Sequence, residues 1–89
     1  MKSSSHNPHL KAVYLEVVDN QLHDNNPPET QQTLERLLKD GINERDAKLL
    51  IASAIAAESY FVLKSKKEFN RERFVRNLKR LPNQSFEER

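Results

Sequence analysis

Five residues punctuate this chain: Pro8, Pro27, Pro28, Gly41 and Pro82. Proline lacks an N–H and clashes with the preceding turn, so a helix can begin at it but not run through it. The chain has a single glycine, the residue that adopts a left-handed conformation at least cost. Between these breaks the apolar residues recur at three and four positions, and strand-type alternation is absent. The punctuation therefore predicts four helices, at about residues 8–22, 28–40, 44–65 and 71–81, and an all-α fold.

Each segment carries its own end signals. Asn7 is a suitable N-cap for the first helix, with Pro8 at the first helical position. Leu10, Val13, Tyr14 and Val17 form one strip of that helix, and Leu15, Val18 and Leu22 form a second beside it. So wide an arc predicts cover on two sides. "HDNNPP" then ends the helix, and Glu29 favours the start of the next. Thr30, Thr33, Leu34, Leu37 and Leu38 are its expected inner stripe. Gly41 suits a left-handed C′ position, with Ile42 following to touch Leu37. Asn43 caps the third segment, with Asp46 three residues on, as in a capping box. Leu49, Leu50, Ile51, Ile55, Phe61, Val62 and Leu63 take up most of its circumference, which predicts a central helix. Asn70 caps the fourth, Phe69 and Phe74 are placed as a hydrophobic staple, and Phe74, Val75, Leu78 and Leu81 face inward.

The expectation is a compact bundle of four helices in one domain, residues 7–82, with flexible ends at 1–6 and 83–89. The last stretch, "NQSFEER", shows no periodic pattern and reads as frayed. Eighty-nine residues support one domain with a modest core. The absence of cysteine excludes disulfides, thiolate zinc sites and thiol nucleophiles. The longest largely apolar run covers positions 49–57. A membrane span needs about twice that length. The start, "MKSSSHNP", has no apolar stretch of signal type, and the chain reads as cytoplasmic, with no membrane association.

The formal net charge is +2, but it is unevenly spread. Residues 1–40 carry four basic and six acidic groups, whereas residues 64–80, "KSKKEFNRERFVRNLKR", carry eight and two. On a wheel advancing about 100° per residue from Arg71, the apolar residues of the last helix fall within roughly 280° to 40°. Arg73, Arg76, Lys79 and Arg80 fall within roughly 80° to 200° on the same wheel. Amphipathicity alone produces such a face, and a solvated surface is the simplest reading. Like charges at Arg76, Lys79 and Arg80 repel across one turn, and Lys64, Lys66 and Lys67 crowd the approach. The cluster could therefore contact phosphates of a nucleic acid or an acidic protein surface. Among the basic positions there is no aromatic residue for base stacking, and no nucleic-acid-binding motif fits.

Two polar residues interrupt apolar stripes. Gln21 lies in line with Leu10, Tyr14 and Val17, and Glu58 with Ala47, Ile51 and Ala54. A buried carboxylate has to be paired, hydrogen-bonded or protonated. A structural contact of Glu58 with Gln21 or Tyr14 is the plain expectation, and a ligand-binding carboxylate the sharper one. The histidines His6, His9 and His23 straddle an expected cap and a break, so no metal site is expected, nor any cofactor.

The order "NPHL", "NQL", "NNPPET", "ERLL", "DGI" and "FNRERFVRNLKRLP" resembles a bacterial family catalogued as domain of unknown function 1841, over about residues 7–82. The resemblance implies an all-helical domain with no established activity. Its histidine positions fall here on Lys11, Leu15, Arg45 and Leu49, so a metal site is not carried over. Gln21 and Glu58 match polar positions of that pattern. The strip Leu15, Val18, Leu22 on the first helix and Leu49, Ala52, Ala56, Leu63 on the third is expected to pack helix on helix, or else to form a homodimer. The functional expectation is a non-enzymatic protein-interaction module acting on a protein partner or a second copy. The alternative is a nucleic-acid-binding accessory protein using the basic face, and the third a degenerate metal-binding or enzyme-like domain around Glu58.

Overall fold

A computed structural model of the chain describes residues 8–89. The expected Asn7 cap and the expected flexible segment 1–6 lie outside the described residues. Four helices follow in order: α1 (Pro8–Asp24), α2 (Pro28–Lys39), α3 (Glu44–Ser65) and α4 (Arg71–Arg80). The architecture is an all-α four-helix bundle, and the described residues contain no strand.

Local chemistry sets most of the ends. α2 closes in a Schellman motif. Gly41 has φ +94°, its N–H donates to Leu38 O, and Ile42 N donates to Leu37 O, both at 3.0 Å. The Asn43 Oδ1 accepts from Asp46 N at 2.9 Å, and its Nδ2 donates to Asp46 Oδ2 at 3.1 Å. Cap and third residue thus grip each other. Asn70 Oδ1 accepts from Arg73 N at 3.0 Å. The Phe69 and Phe74 rings meet with centroids 5.4 Å apart, which closes the staple around that cap. Two ends use left-handed non-glycine residues. Asn25 (φ 51°) closes α1 two residues later than the spacing suggests, with Asn26 N donating to Gln21 O. Lys66 (φ 59°) closes α3.

α3 is central and touches the other three helices, whereas the described residues of α1 and α4 do not meet. The core comprises Val18 of α1, Leu34 and Leu37 of α2, Ala47, Ile51, Ala52, Ala54 and Ile55 of α3, and Phe74, Leu78 and Leu81 from α4 and its end. Phe74 and Leu78 are fully buried. Burying a side chain of that kind contributes about 1.5–3 kcal/mol. α1 lies against α3 and α2, with Val18 buried, Leu15 and Leu22 packed against the core, and the small Ala52 of α3 buried. Lys48 Nζ closes the α1–α3 seam on Asp19 at 3.0 Å.

Three expectations are corrected. Leu38 is 41 % exposed. It sits one residue, about 100°, beyond Leu37, past the inward edge of α2. Leu63 is 77 % exposed, and Leu10 and Val13 are exposed as well, because cover of the α1–α3 seam ends before the distal turns of both helices. The third correction concerns residues 83–89. They do not fray from the bundle but fold back along α4, held by side chains of α3 and α4.

Candidate interaction face on the last helix

The face begins with a buried ion pair. Glu58, 1 % exposed on α3, accepts from Arg73 Nε at 2.8 Å and from Arg73 Nη2 at 2.7 Å. Asn70 N donates to the same carboxylate at 2.9 Å. The carboxylate is thus met by a bidentate guanidinium and a backbone N–H, the arrangement a buried charge requires. The hydrogen bond to Glu58 holds the Arg73 guanidinium above its usual pKa, against the opposing effect of desolvation. Arg73 also stacks on the Phe61 ring, 5.2 Å from its centroid, a cation–π contact.

Arg73, expected among the solvated basic residues, is buried. Its wheel position is the reason: at about 200° it stands at the edge of the basic arc nearest Asn77 (about 240°) and Leu81 (about 280°). From that edge the side chain reaches under the helix to Glu58. Glu58 therefore pairs with neither Gln21 nor Tyr14. Gln21 Oε1 accepts from Thr30 Oγ1 at 2.7 Å, tying α1 to α2, and Tyr14 packs half-buried against the core. Among the described residues, no three His, Asp or Glu side chains are grouped as metal ligands.

The C-terminal segment completes the face. Asn77 is fully buried, and its side-chain amide brackets one residue of that segment: Nδ2 donates to Glu87 O at 2.9 Å, and Glu87 N donates to Oδ1 at 2.7 Å. Arg80 Nε donates to Ser85 O at 3.0 Å, Arg73 Nη1 to Glu88 O at 2.9 Å, and Arg76 Nη2 to Arg89 O. The partners of residues 85, 87 and 88 are thus 80, 77 and 73, so the segment runs antiparallel to α4 as far as Glu88, and Arg89 turns back to Arg76. Its three-residue advance matches a seven-residue advance on the helix. At ~3.3 Å per extended residue and ~1.5 Å per helical residue, both are about 10 Å, so the segment is extended.

Side chains add to the backbone grip. Phe86 is half-buried against the core, and Gln84 Nε2 reaches Ser53 Oγ on α3 at 3.0 Å. The Glu87 carboxylate lies 3.2 Å from Arg80 and 3.9 Å from Arg76. Lys64 Nζ lies 2.9 Å from Glu88, a hydrogen bond that raises the lysine pKa. Lys66, Lys67 and Lys79 are exposed and form no ion pair among the described residues. Of the seven basic residues expected to share an open surface, Arg73, Arg76, Arg80 and Lys64 are gathered instead around one extended chain segment. Asn77 was missed by sequence reasoning. Its signal was a polar residue beside Leu78 and Leu81 on the border of the apolar arc.

No known protein family, curated protein or solved structure matches this chain. Among the described residues, no helix is long and apolar enough to cross a membrane.

Proposed function

We propose that this domain is a non-enzymatic protein-interaction module whose contact surface is the crease between α3 and α4. The observation that supports it is the Asn77 amide. Its donor and its acceptor are both taken by the backbone of Glu87, a residue of an extended segment outside the helices. A side chain that brackets both main-chain groups of one residue recognises a polypeptide whatever its sequence. The surrounding arginines extend that grip to further carbonyls. Glu58 does not compete with this reading, since it is 1 % exposed and both its oxygens already accept from Arg73 or Asn70.

Selection of displayed random heptapeptides tests the proposal. Peptides enriched on the full chain should lose their enrichment on Asn77→Ala. Failure to enrich any peptide, or equal enrichment on that variant, refutes it. A second reading, nucleic-acid binding, draws support from exposed Lys66, Lys67 and Lys79. Their count is small once Lys64 is paired with Glu88, and Arg80 and Arg76 share Glu87. RNA or duplex DNA binding with a steep salt dependence, weakened by Lys66→Glu with Lys79→Glu, would support that reading; absence of binding at low salt excludes it.

A further inference from the structure

We propose that the α3–α4 crease recognises, on a partner protein, an extended segment with an aromatic residue followed by two acidic ones, and that Phe86, Glu87 and Glu88 are its internal occupant. The inference rests on the interaction reading above and specifies the partner and the regulation of that surface.

The geometry supplies a different discriminator at each successive position. At the first, the Phe86 ring settles against the core, a place suited to a flat apolar group. At the second, the Asn77 amide fixes the main chain in register, and the carboxylate of Glu87 points to Arg80 and Arg76. At the third, Arg73 takes the carbonyl of Glu88, and Lys64 takes its carboxylate. The backbone bonds hold any chain, and the cations favour an acidic one. The ion pairs are exposed and individually weak, so charge selects among segments more than it anchors them.

Asn77 argues that the crease is made to be filled. It has no exposed surface, and both of its side-chain bonds go to residue 87. With the segment gone the amide would open to water, so what the bracket favours is a main chain that can meet its donor and its acceptor together. The present occupant is attached at Arg80 through a short turn, in which Asn83 N donates to Arg80 O and Ser85 N to Asn83 Oδ1. An occupant tethered in this way acts at an effective concentration on the order of millimolar. A second copy offers the same segment without that advantage at micromolar concentration, which disfavours exchange of tails between copies. A partner segment with a better-fitting ring or stronger acidic flanks displaces the tail, and the tail sets the threshold it must exceed.

The test uses the full-length chain and an end-blocked, fluorescein-labelled peptide Asn-Gln-Ser-Phe-Glu-Glu-Arg. A variant with Phe86→Ser, Glu87→Ser and Glu88→Ser removes the ring and both carboxylates, loosening the tail from the crease while keeping every residue of α3 and α4. For a peptide of Kd about 0.1 mM, a millimolar tethered competitor weakens apparent binding about tenfold. The variant should therefore bind the peptide about tenfold more tightly than the wild type does. Adding Asn77→Ala should abolish that binding. Peptides with Phe replaced by Ser, or with both Glu replaced by Gln, should each bind several-fold more weakly. Equal binding by the variant and the wild type overturns the proposal, as does indifference to the phenylalanine. If the triple variant still binds other extended peptides, the motif falls but the interaction surface stands. If it binds none, both fall. A doubled mass of the wild type by light scattering, reversed by the free peptide, would assign the crease to the tail of a second copy and overturn the choice of partner. Should the triple variant lose helicity, NMR on the wild type decides. Millimolar peptide should shift the Asn77 side-chain amide and speed exchange of the Glu87 N–H, and unchanged signals refute displacement.

Discussion

Arg73→Met isolates the buried ion pair on which the seating of α4 depends. The substitution keeps an unbranched side chain over the Phe61 ring but removes the guanidinium, leaving Glu58 buried with the Asn70 N–H as its one remaining donor. Breaking a buried pair from one side costs about 3–5 kcal/mol. Arg73 lies at the rim rather than the centre of the core, so the lower end, about 3 kcal/mol, applies here. A domain of this size is stable by roughly 5–13 kcal/mol, so the loss takes a large share. At about 4–8 °C per kcal/mol for domains of this length, the melting temperature should fall by roughly 12–24 °C. The double variant Glu58→Leu with Arg73→Met should recover to within about 1 kcal/mol of the wild type, since no charge is left buried. Urea melts followed by circular dichroism at neutral pH measure all the corners of the cycle. A cost below about 1 kcal/mol for Arg73→Met, or a double variant as unstable as the sum of both single changes, would refute the reasoning.

Other substitutions probe the remaining parts. Asn77→Ala should cost about 1–2 kcal/mol in urea melts. The same change should markedly accelerate hydrogen exchange at the Glu87 amide, because the bracket that orders it is gone. The Arg36 guanidinium caps the end of α4 by donating to Leu81 O at 2.7 Å and Leu78 O at 3.0 Å. Arg36→Ala should therefore cost about 2 kcal/mol by the same measurement, the range for hydrogen bonds made by a charged group. Gly41→Ala should cost about 1 kcal/mol by thermal melting. The cost is backbone strain alone: φ is +94° and no atom lies within 4 Å of the added Cβ. The Lys64 contact with the tail has a definite pH signature. Its pKa is raised in the folded chain from the ordinary 10.5. The contact is therefore fully present below the ordinary value and is lost as pH rises through the folded one. NMR shifts of Glu88 should stay constant from pH 7 to about 9 and move only above the ordinary lysine value.

The sequence disclosed what depends on neighbours along the chain. The Gly41–Ile42 ending, the Asn43 and Asn70 caps and the Phe69–Phe74 contact each involve near neighbours in the chain. Backbone chemistry specifies them without knowledge of the fold. α4 and its inward residues followed from periodicity, because its apolar and charged arcs are well separated. The side facing outward on α1 was less legible, as its two apolar strips offered no criterion for which would be covered. The partner of Glu58 was illegible for a different reason. Arg73 lies fifteen residues away on another helix, and its wheel angle admitted either solvent or the seam until the rotation of α4 against α3 was known. Residues 83–89 were hidden because their order comes from the surface they lie on. An extended segment with one aromatic ring has no periodicity to detect.

The charge pattern changes meaning once that segment is in place. Eight cations in residues 64–80 suggest an open electrostatic surface. Yet the chain supplies its own counter-charges from Glu58, Glu87, Glu88 and, through Arg71, Glu29. Like-charge repulsion between Arg76 and Arg80 is relieved by a single carboxylate lying near both. The repulsion, about 0.2–0.5 kcal/mol for such a pair, is therefore a cost of the empty state, in which the Asn77 amide would also exchange its two main-chain partners for water. A purely solvated face would show neither feature: its cations would spread apart, and its border residues would be aliphatic or fully wet. The cationic flank of α4 is a surface that retains the chain's own acidic segment.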